Sequence, residues 1–332
     1  RDPLWSRGLG DVYKRQDYNF AGEDDEEVGT WLTMVESRSG AVWSRVVEHK
    51  GVNESTEWVV VQMVEALDEW GFRGEDMILR SDQEGAIEVV KKKVAELRVG
   101  RTIMDESPVG ESSANGRAED AGKRVRDQAR VLKDQLEYRS KEKLDIEGDV
   151  MQWLVGWAAM VLTRYKRGED GKTAWERMRG RRCEAEVVPF GELVWYKPLK
   201  ESGGKLNQME AKWEEGIWLG HVGRTEEVYI GTAEGVLRAW AVRRRPADER
   251  WNMKKIQEIK GTPQEPVPGR GSRRAPIRIR VGDDGDEAAD EDEAEVEADG
   301  VPRKAKITKK YYQRYGYTEG CEGCGRMRAG SV

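Results

Sequence analysis

The order of strand-like and helix-like segments between residues 30 and 140 most constrains what this chain can fold into. Two segments rich in β-branched and aromatic residues, "TWLTMVES" (30–37) and "AVWSRVVEHK" (41–50), flank a short turn and predict an antiparallel hairpin. Four further segments alternate between helical spacing of apolar residues and strand-like composition, at 54–71, 76–82, 84–98 and 102–106. Together they predict an α/β domain with a mixed sheet and flanking helices.

A long helix is predicted to follow a loop of small and polar residues at 107–116, which is suited to movement. One stripe of small and apolar residues should face the sheet, formed by Ala118, Gly122, Val125, Ala129, Leu132 and Leu136. An adjacent stripe places Glu119 ahead of Lys123, Arg126 and Arg130. One interpretation is purely structural, because an acid favours a helix N-terminus and Glu119 can pair with Lys123 four residues on.

Two other acids support a chemical interpretation of Glu119. Asp82 ends the strand-like segment at 76–82, where α/β sheets display functional groups, and Asp17 begins the segment "DYNFAG". Carboxylates from two strand regions and one helix start can converge on one site, and clusters of carboxylate oxygens suit Mg²⁺ or Mn²⁺. Such a site would support phosphoryl-transfer chemistry.

The same residues resemble a known family. Asp17, Asp82 and Glu119, with 36 residues between the last two, resemble the Asp, Asp, Glu triad of retroviral and retrotransposon integrases. "SSANGRAE" resembles the family signature Pro-x-x-Asn-Gly-x-x-Glu. "VLTRYKRGEDGKTAWERMRGRR" is similar to the segment that follows the catalytic core in copia-type polyproteins, and "FGELVWYKP" with "EGIWLGHV" is similar to their post-core β-module. The resemblance covers residues 17–250.

The resemblance to copia-type integrases implies a ribonuclease H-like fold with a mixed five-stranded sheet. It implies that Asp17, Asp82 and Glu119 are catalytic and hold two Mg²⁺ or Mn²⁺ ions, one activating a water or a DNA 3′-hydroxyl and the other stabilising the leaving oxygen. The implied activity is DNA 3′-end processing and strand transfer, with element ends and target DNA as partners and a homo-oligomer as the active form. Four residues would lie beside the DNA phosphates: Asn115, Lys123, Arg126 and Arg130.

Two other functions remain open. A catalytically inactive retroelement remnant, or a co-opted DNA-binding protein, would keep the fold and the basic surface without turnover. A general ribonuclease H-like nuclease would share the carboxylates and would cleave without joining. Metal binding by the carboxylates separates an active enzyme from a remnant, and joined DNA products separate an integrase from a nuclease.

Composition divides the chain into five parts. Residues 1–16 show no clear period and resemble a spurious end, and "KRQ" stands just before Asp17 where the family has an apolar strand. The chain is therefore predicted to be a fragment with residues 1–16 outside the fold. The other predicted parts are a catalytic core at 17–145, a helical extension at 146–185, a small β-barrel-like module at 186–250 and a largely disordered tail at 251–332.

Charge predicts a polyanion partner. Residues 283–299 hold 11 acids and no base, and without them the net charge of −6 becomes +5. An Arg-rich strip at 270–280 precedes this acidic block, which could compete with DNA for the basic surface or simply be a solvated tail. Within the β-module, a DNA-contacting face is predicted at Arg243, Arg244 and Arg245, against the alternative of scattered solvated cations.

Cysteine and hydropathy patterns limit the class of protein. The chain has 3 cysteines, too few for a disulfide framework, and Cys321 with Cys324 has the spacing of half a zinc site. The longest apolar stretch, 151–163, is shorter than the roughly 20 residues of a membrane span, so no membrane partner is predicted. Chemistry on chromosomal DNA implies a nuclear location, with the cytoplasm as the alternative.

Tryptophan is unusually frequent, with 13 residues against 3 phenylalanines. Tryptophans can stack on single-stranded bases, or they can fill an apolar core. The core interpretation is favoured for those in segments with apolar periodicity, namely Trp31, Trp43, Trp58, Trp153 and Trp157.

Overall fold

The structure is a computed structural model. It describes residues 10–20, 27–47, 57–81, 85–106, 112–200, 211–223, 225, 227–271, 274–277 and 279–280. These residues all belong to one compact unit, Arg1–Asp283. The acidic block from residue 284 onward, with Cys321 and Cys324, lies outside the described residues, so its predicted disorder and its half zinc site stay predictions.

A mixed five-stranded sheet organises the first half of the chain. Its elements are, in chain order, β1 (Gly10–Phe20), β2 (Glu27–Glu36), β3 (Val42–Val47), α1 (Glu57–Glu69), β4 (Met77–Ser81), α2 (Gly85–Leu97), β5 (Thr102–Glu106) and α3 (Ser112–Ser140). The strand order is β3-β2-β1-β4-β5, with β1 antiparallel to β2 and parallel to β4. The predicted mixed α/β class is confirmed.

The first strand begins earlier than the sequence predicts. β1 starts at Gly10, so residues 10–16 belong to the sheet and are not outside the fold. Lys14, Arg15 and Gln16 are register partners of Met34, Thr33 and Leu32. The ladder that joins two strands uses backbone groups, and a polar segment can therefore complete it even where apolar periodicity is absent.

Helices cover both faces of this sheet. On one face, α1 and α2 pack against Leu32, Met34 and Trp43. On the other face, α3 packs against Trp31 and Val35. The predicted inner stripe of α3 is confirmed, since its small and apolar residues are buried or partly buried at Ala118, Gly122, Val125, Ala129, Leu132 and Leu136.

A second, antiparallel sheet follows two further helices. The elements are α4 (Asp149–Arg164), α5 (Ala174–Arg179), β6 (Leu193–Lys197), β7 (Leu199–Lys200), β8 (Glu214–His221), β9 (Val228–Thr232), β10 (Gly235–Ala239), β11 (Ala241–Arg244), α6 (Met253–Gln257) and β12 (Ile279–Arg280). The order is β10-β9-β8-β6-β11, which we call the β-module. In the described residues β10 and β11 are its outer strands, so closure into a barrel stays a prediction.

The predicted parts at 17–145, 146–185 and 186–250 do not form separate compact units. α4 packs against α3 and β3 on one side and against β8 on the other. Trp153 and Trp157 of α4 share one apolar cluster with Trp218 of the β-module. Because α4 is apolar around most of its circumference, it needs cover on both sides, and this joins the sheet and the β-module.

Residues 251–277 correct the predicted disordered tail over their described part. Met253 and Ile256 are buried in the main cluster, at 1% and 0% exposed. The backbone of Gly261 is held twice by α4: its carbonyl accepts from Trp153 Nε1 at 2.8 Å, and its N–H donates to Asp149 Oδ2 at 2.7 Å. A few spaced apolar anchors and backbone hydrogen bonds therefore fix a segment whose Pro- and Gly-rich composition suggested disorder.

The five tryptophans predicted in the core are there. Trp31, Trp43, Trp58, Trp153 and Trp157 are 3–7% exposed. No helix in the described part of the chain combines the length and hydropathy that crossing a bilayer requires.

Glu137, near the end of α3, makes contacts that depend on the ionisation of its carboxylate. It is 8% exposed and accepts hydrogen bonds from Leu144 N, Lys143 Nζ and Lys133 Nζ. Burial alone raises the pKa of this carboxyl, but the three donors outweigh burial and lower the pKa from 4.5 to about 2. The stabilisation is therefore complete above about pH 5 and is lost as the pH falls through 2.

Replacing Glu137 with Gln is expected to lower the free energy of unfolding at pH 7 by about 1–2 kcal/mol, because solvent screens the exposed Lys143 end of the contact. The difference from wild type should shrink steadily between pH 4.5 and pH 2, because both proteins then carry a neutral group. Urea unfolding at several pH values measures this, with Glu142→Gln as the control on the exposed turn. A difference that does not change with pH would show that the carboxylate charge is not responsible.

Candidate functional site

The helix α3 presents the predicted basic stripe toward solvent. Glu119, Lys123 and Arg130 are exposed and Arg126 is half-buried. Arg130 Nη1 donates to Asp127 Oδ1 at 3.0 Å. The exposure of this stripe next to the buried stripe confirms the helical phase from which it was predicted.

The predicted loop at 107–116 is shorter than expected. α3 begins at Ser112, so 112–116 form its first helical residues, while 107–111 lie outside the described residues. Asn115 is therefore placed by its backbone in the first turn of α3, and its side chain lies outside the described residues. Small residues such as Ser and Ala permit this early start because they do not crowd a helix.

Asp17 lies on the central strand β1. It pairs with Trp31 of β2, and directly opposed residues of antiparallel strands share a face of the sheet. Trp31 is 3% exposed and belongs to the apolar cluster that includes the inner stripe of α3. Position 17 therefore belongs to the face that α3 covers, although its side chain lies outside the described residues.

Asp82 directly follows Ser81, the last residue of β4, and is itself outside the described residues. Tyr13 of β1 pairs with Arg80 of the parallel strand β4. Position 17 is four residues past this pair and Ser81 is one residue past it. They are therefore roughly 10 Å apart along the strand direction, at the same end of two adjacent strands.

The start of α3 is held near the turn between β2 and β3. Arg117, two residues before Glu119, donates from Nη1 to the carbonyl of Ser37 at 3.1 Å. Ser37 follows Trp31 by six residues, or roughly 20 Å of extended chain. The described contacts thus place α3 on β1 and β2 but do not bring Glu119 to position 17, and the convergence of the triad stays a prediction.

The donor set fits a hard divalent cation, since three carboxylates offer only oxygen ligands. No cluster of three or more His, Cys, Asp and Glu residues suited to a metal ion occurs among the described residues, which exclude the side chains of Asp17 and Asp82. Binding of Mg²⁺ or Mn²⁺ by these carboxylates therefore stays a prediction.

Lys91 is a charged residue near this edge that the sequence pattern could have revealed. It is 1% exposed, and its Nζ donates to the carbonyl of Asp105 at 3.2 Å, one residue before the end of β5. Its burial could have been predicted from its position four residues after Ile87, on the apolar stripe of α2. An ammonium group buried at the edge where β4 and β5 end favours the ionised form of nearby carboxylates.

Arg244 of the β-module forms an ion pair with the fully buried carboxylate of Glu192, while its own side chain is 34% exposed. Its Nε and Nη2 donate to the two carboxylate oxygens of Glu192, each at 2.7 Å, and Glu192 is 0% exposed. Arg250 Nε lies 3.5 Å from the same carboxylate. The guanidinium fork of Arg244 is therefore already used within the protein.

Arg245 also has acidic partners, whereas Arg243 has an aromatic one. Arg245 bonds Glu249 at 2.7 Å and also pairs with Glu215. Arg243 is exposed and stacks over the ring of Trp213 at 4.5 Å, and in the described residues it has no acidic partner. Of the three arginines predicted to contact DNA, Arg243 is therefore the one with its charge available.

Two exposed tryptophans that were not predicted from the sequence accompany Arg243: Trp195 lies opposite it in the sheet with Arg245 over its ring at 5.4 Å, and Trp240 precedes β11. Trp195, on β6, is 36% exposed. Trp240 is 54% exposed. We call Arg243, Trp195, Trp213 and Trp240 the basic-aromatic surface. The sequence could have indicated the exposure of Trp195, because it alternates with the apolar residues Val194 and Tyr196, which are buried.

Comparison with known proteins gives a weak structural likeness. No protein-family model and no curated protein sequence matches the chain. Among solved structures, the chain is similar to the HTLV-2 integrase catalytic core domain in complex with magnesium in its dimeric form. The likeness covers 51% of this chain and 94% of that chain at 11% sequence identity, with a TM-score of 0.32. A likeness of this size identifies neither a family nor an activity.

Proposed function

We propose that this chain is a polynucleotidyl transferase of the copia-type integrase class, with a ribonuclease H-like core and with Asp17, Asp82 and Glu119 as its metal-binding residues. The observation that carries the proposal is the adjacency of the three elements that bear these residues or lead into them. β1 lies at the centre of the sheet, β4 is its parallel neighbour, and α3 packs on β1.

The proposed chemistry needs no nucleophile from the protein. Mg²⁺ or Mn²⁺ held by the carboxylates of Asp17, Asp82 and Glu119 would activate an attacking hydroxyl and stabilise charge at phosphorus. Lys123, one turn beyond Glu119 and exposed, would hold a DNA phosphate beside the reacting group. Arg126 and Arg130 continue this basic stripe along α3.

The β-module would supply a second DNA contact through the basic-aromatic surface. Arg243 offers a cation for phosphate, and the exposed ring of Trp240 offers a stacking surface for bases or sugars, whereas Arg245 already lies over the ring of Trp195. A DNA-binding protein without turnover is the second candidate, because this surface is complete without the carboxylates. Either function implies action on chromosomal DNA and hence a nuclear location. The joining of two DNA ends implies that a second copy of the chain takes part.

Replacing Arg243 with Gln is expected to weaken binding to duplex DNA about 3- to 10-fold at moderate salt. The slope of log K against log salt concentration should fall by about 1, because one phosphate contact is lost. Fluorescence anisotropy at several salt concentrations measures both quantities. Arg167→Gln, at an exposed arginine outside the β-module, is the matched control. An unchanged salt slope would contradict a phosphate contact at Arg243.

A product assay separates the candidate functions. The full chain is incubated with Mn²⁺ and end-labelled duplex DNA, and the products are resolved by length. Joined products longer than the substrate would support the integrase function, whereas shortened strands without joining would indicate a nuclease. Stable DNA binding with neither product would leave the second candidate, a DNA-binding protein, and overturn the enzymatic proposal.

A further inference from the structure

A cavity of about 270 Å³ lies between the first sheet, α4 and the β-module. Residues of β3, α1, α4 and β9 line it, and no residue of α3 does. Five aromatic side chains form much of its wall: Trp43, Trp70, Trp153, Trp175 and Tyr229. A concave site with aromatic walls and a few polar groups is the usual form of a small-molecule site.

Arg45 is the charged group of this cavity without an acidic partner in the described residues. Its Nε donates to Gln62 Oε1 at 2.7 Å and its Nη1 donates to the carbonyl of Ser44 at 2.9 Å. A guanidinium has five N–H donors, so further donors remain. Burial lowers the pKa of Arg45, and the nearby carboxylates of Glu69 and Glu65 partly oppose this effect.

The other cationic residues of the cavity are neutralised. Three more arginines line it, and each has a carboxylate within ion-pair distance: Arg164 with Glu69 at 3.5 Å, Arg238 with Glu227 at 3.1 Å and Arg274 with Glu65 at 3.0 Å. Among the described residues, four arginines of the cavity therefore face three carboxylates, Glu65, Glu69 and Glu227, which leaves one positive charge in excess; Arg45 is the arginine without an ion pair at contact distance. An uncompensated buried charge is costly unless an anion joins it.

Two neighbours shape the surroundings of Arg45: Gly156 leaves room for its guanidinium beside α4, and Tyr229 adds a hydrogen-bond donor to the cavity. Gly156 of α4 faces the guanidinium, and a Cβ at this position would lie 2.6 Å from Arg45 Nη1. Tyr229 lines the same cavity, and its hydroxyl forms no hydrogen bond within the described residues. Burial raises the pKa of Tyr229, so its hydroxyl keeps its proton at neutral pH and can donate it to an anion.

We propose that this cavity binds a small organic anion with a planar ring, whose carboxylate or phosphate pairs with Arg45 and Tyr229 while its ring packs against the tryptophans. Both kinds of anionic group accept hydrogen bonds from a guanidinium and a phenol. The walls come from the core and from the β-module, so the bound anion would contact both parts of the protein.

Isothermal titration calorimetry of the full chain tests the proposal with two anions and their neutral counterparts: 2-naphthoate against 2-naphthamide, and adenosine 5′-monophosphate against adenosine. At least one anion is expected to bind with a Kd below about 1 mM and at least about 10-fold more tightly than its neutral counterpart. Binding of naphthoate alone would identify a carboxylate site, and binding of the nucleotide alone would identify a phosphate site. Failure of both anions to bind at 1 mM would overturn the proposal.

Variants connect binding to the named residues. Arg45→Gln should weaken anion binding at least about 10-fold, and Tyr229→Phe, which keeps the ring and the packing, should weaken it about 3- to 10-fold. Gly156→Ala should also weaken binding because the new methyl group displaces the guanidinium. Arg167→Gln should bind as wild type. If Tyr229→Phe is folded and both it and Arg45→Gln keep wild-type affinity, the proposal is wrong.

Discussion

Glu119→Gln should reduce metal-dependent strand transfer at least about 10³-fold, equal to roughly 4 kcal/mol in activation free energy. The substitution keeps the size of the side chain but removes the charge that holds a divalent cation. Glu119 is exposed on α3, so the fold should be retained. The rate of appearance of joined DNA products in Mn²⁺ measures the effect.

The matched control is Asp120→Asn, one residue further along the same helix. Asp120 is exposed and pairs with Arg124 Nε at 2.9 Å, an ordinary surface contact worth less than about 1 kcal/mol. We expect its strand-transfer rate to stay within about 2-fold of wild type. Equal rates for wild type, Glu119→Gln and Asp120→Asn would exclude Glu119 from the active site.

Glu192→Ala should have the largest effect on stability, lowering the free energy of unfolding by about 3 kcal/mol or more. The carboxylate of Glu192 is fully buried and compensates the guanidinium groups of Arg244 and Arg250. Its removal takes away two charge-assisted hydrogen bonds from Arg244 and leaves a space where the buried side chain was packed. Urea unfolding followed by tryptophan fluorescence measures the change.

Glu215→Gln is the control for this ion pair. Glu215 pairs with Arg245 and Lys255 on the exposed side of the same sheet, and we expect it to contribute less than about 1 kcal/mol. If the two variants lose equal stability, burial does not set the strength of these pairs. A stable Glu192→Ala variant would also release Arg244, and its DNA affinity should then rise.

The spacing of apolar residues predicted the layers of the first half of the chain, because burial of one face of each helix or strand imposes that spacing. The spacing of Ala118, Val125 and Ala129 predicted which side of α3 packs on the sheet, and all three are at most 1% exposed. Short strand-like runs divided by Gly-rich turns likewise predicted the strands of the β-module. These features depend on local sequence and on one buried face, which a single sequence records.

Other features depend on contacts between distant residues, which no local pattern records. β1 begins at Gly10 because β2 supplies backbone partners to a polar segment. The backbone of Gly261 is fixed by Trp153, which is 108 residues away. A run of three arginines predicted one basic face, but Glu192 engages Arg244, and only the folded sheet shows that Arg243 keeps its charge available.

The candidate site was predicted from residue types and a family resemblance, and the structure adds the placement of its elements. β1, β4 and α3 are neighbours, as a shared site requires. Side-chain geometry at Asp17 and Asp82 lies outside the described residues. Metal binding is therefore the property on which the account most depends.

Mn²⁺ titration of the full chain, followed by the EPR signal of free Mn²⁺, tests the central claim most directly. The acidic residues at 283–299 are the same in every variant, so any Mn²⁺ that they take up cancels when the proteins are compared. The account predicts up to two tightly bound ions in wild type and in Asp120→Asn, with at least one lost in both Asp82→Asn and Glu119→Gln. The same Mn²⁺ binding in all four proteins would contradict a metal site at these carboxylates.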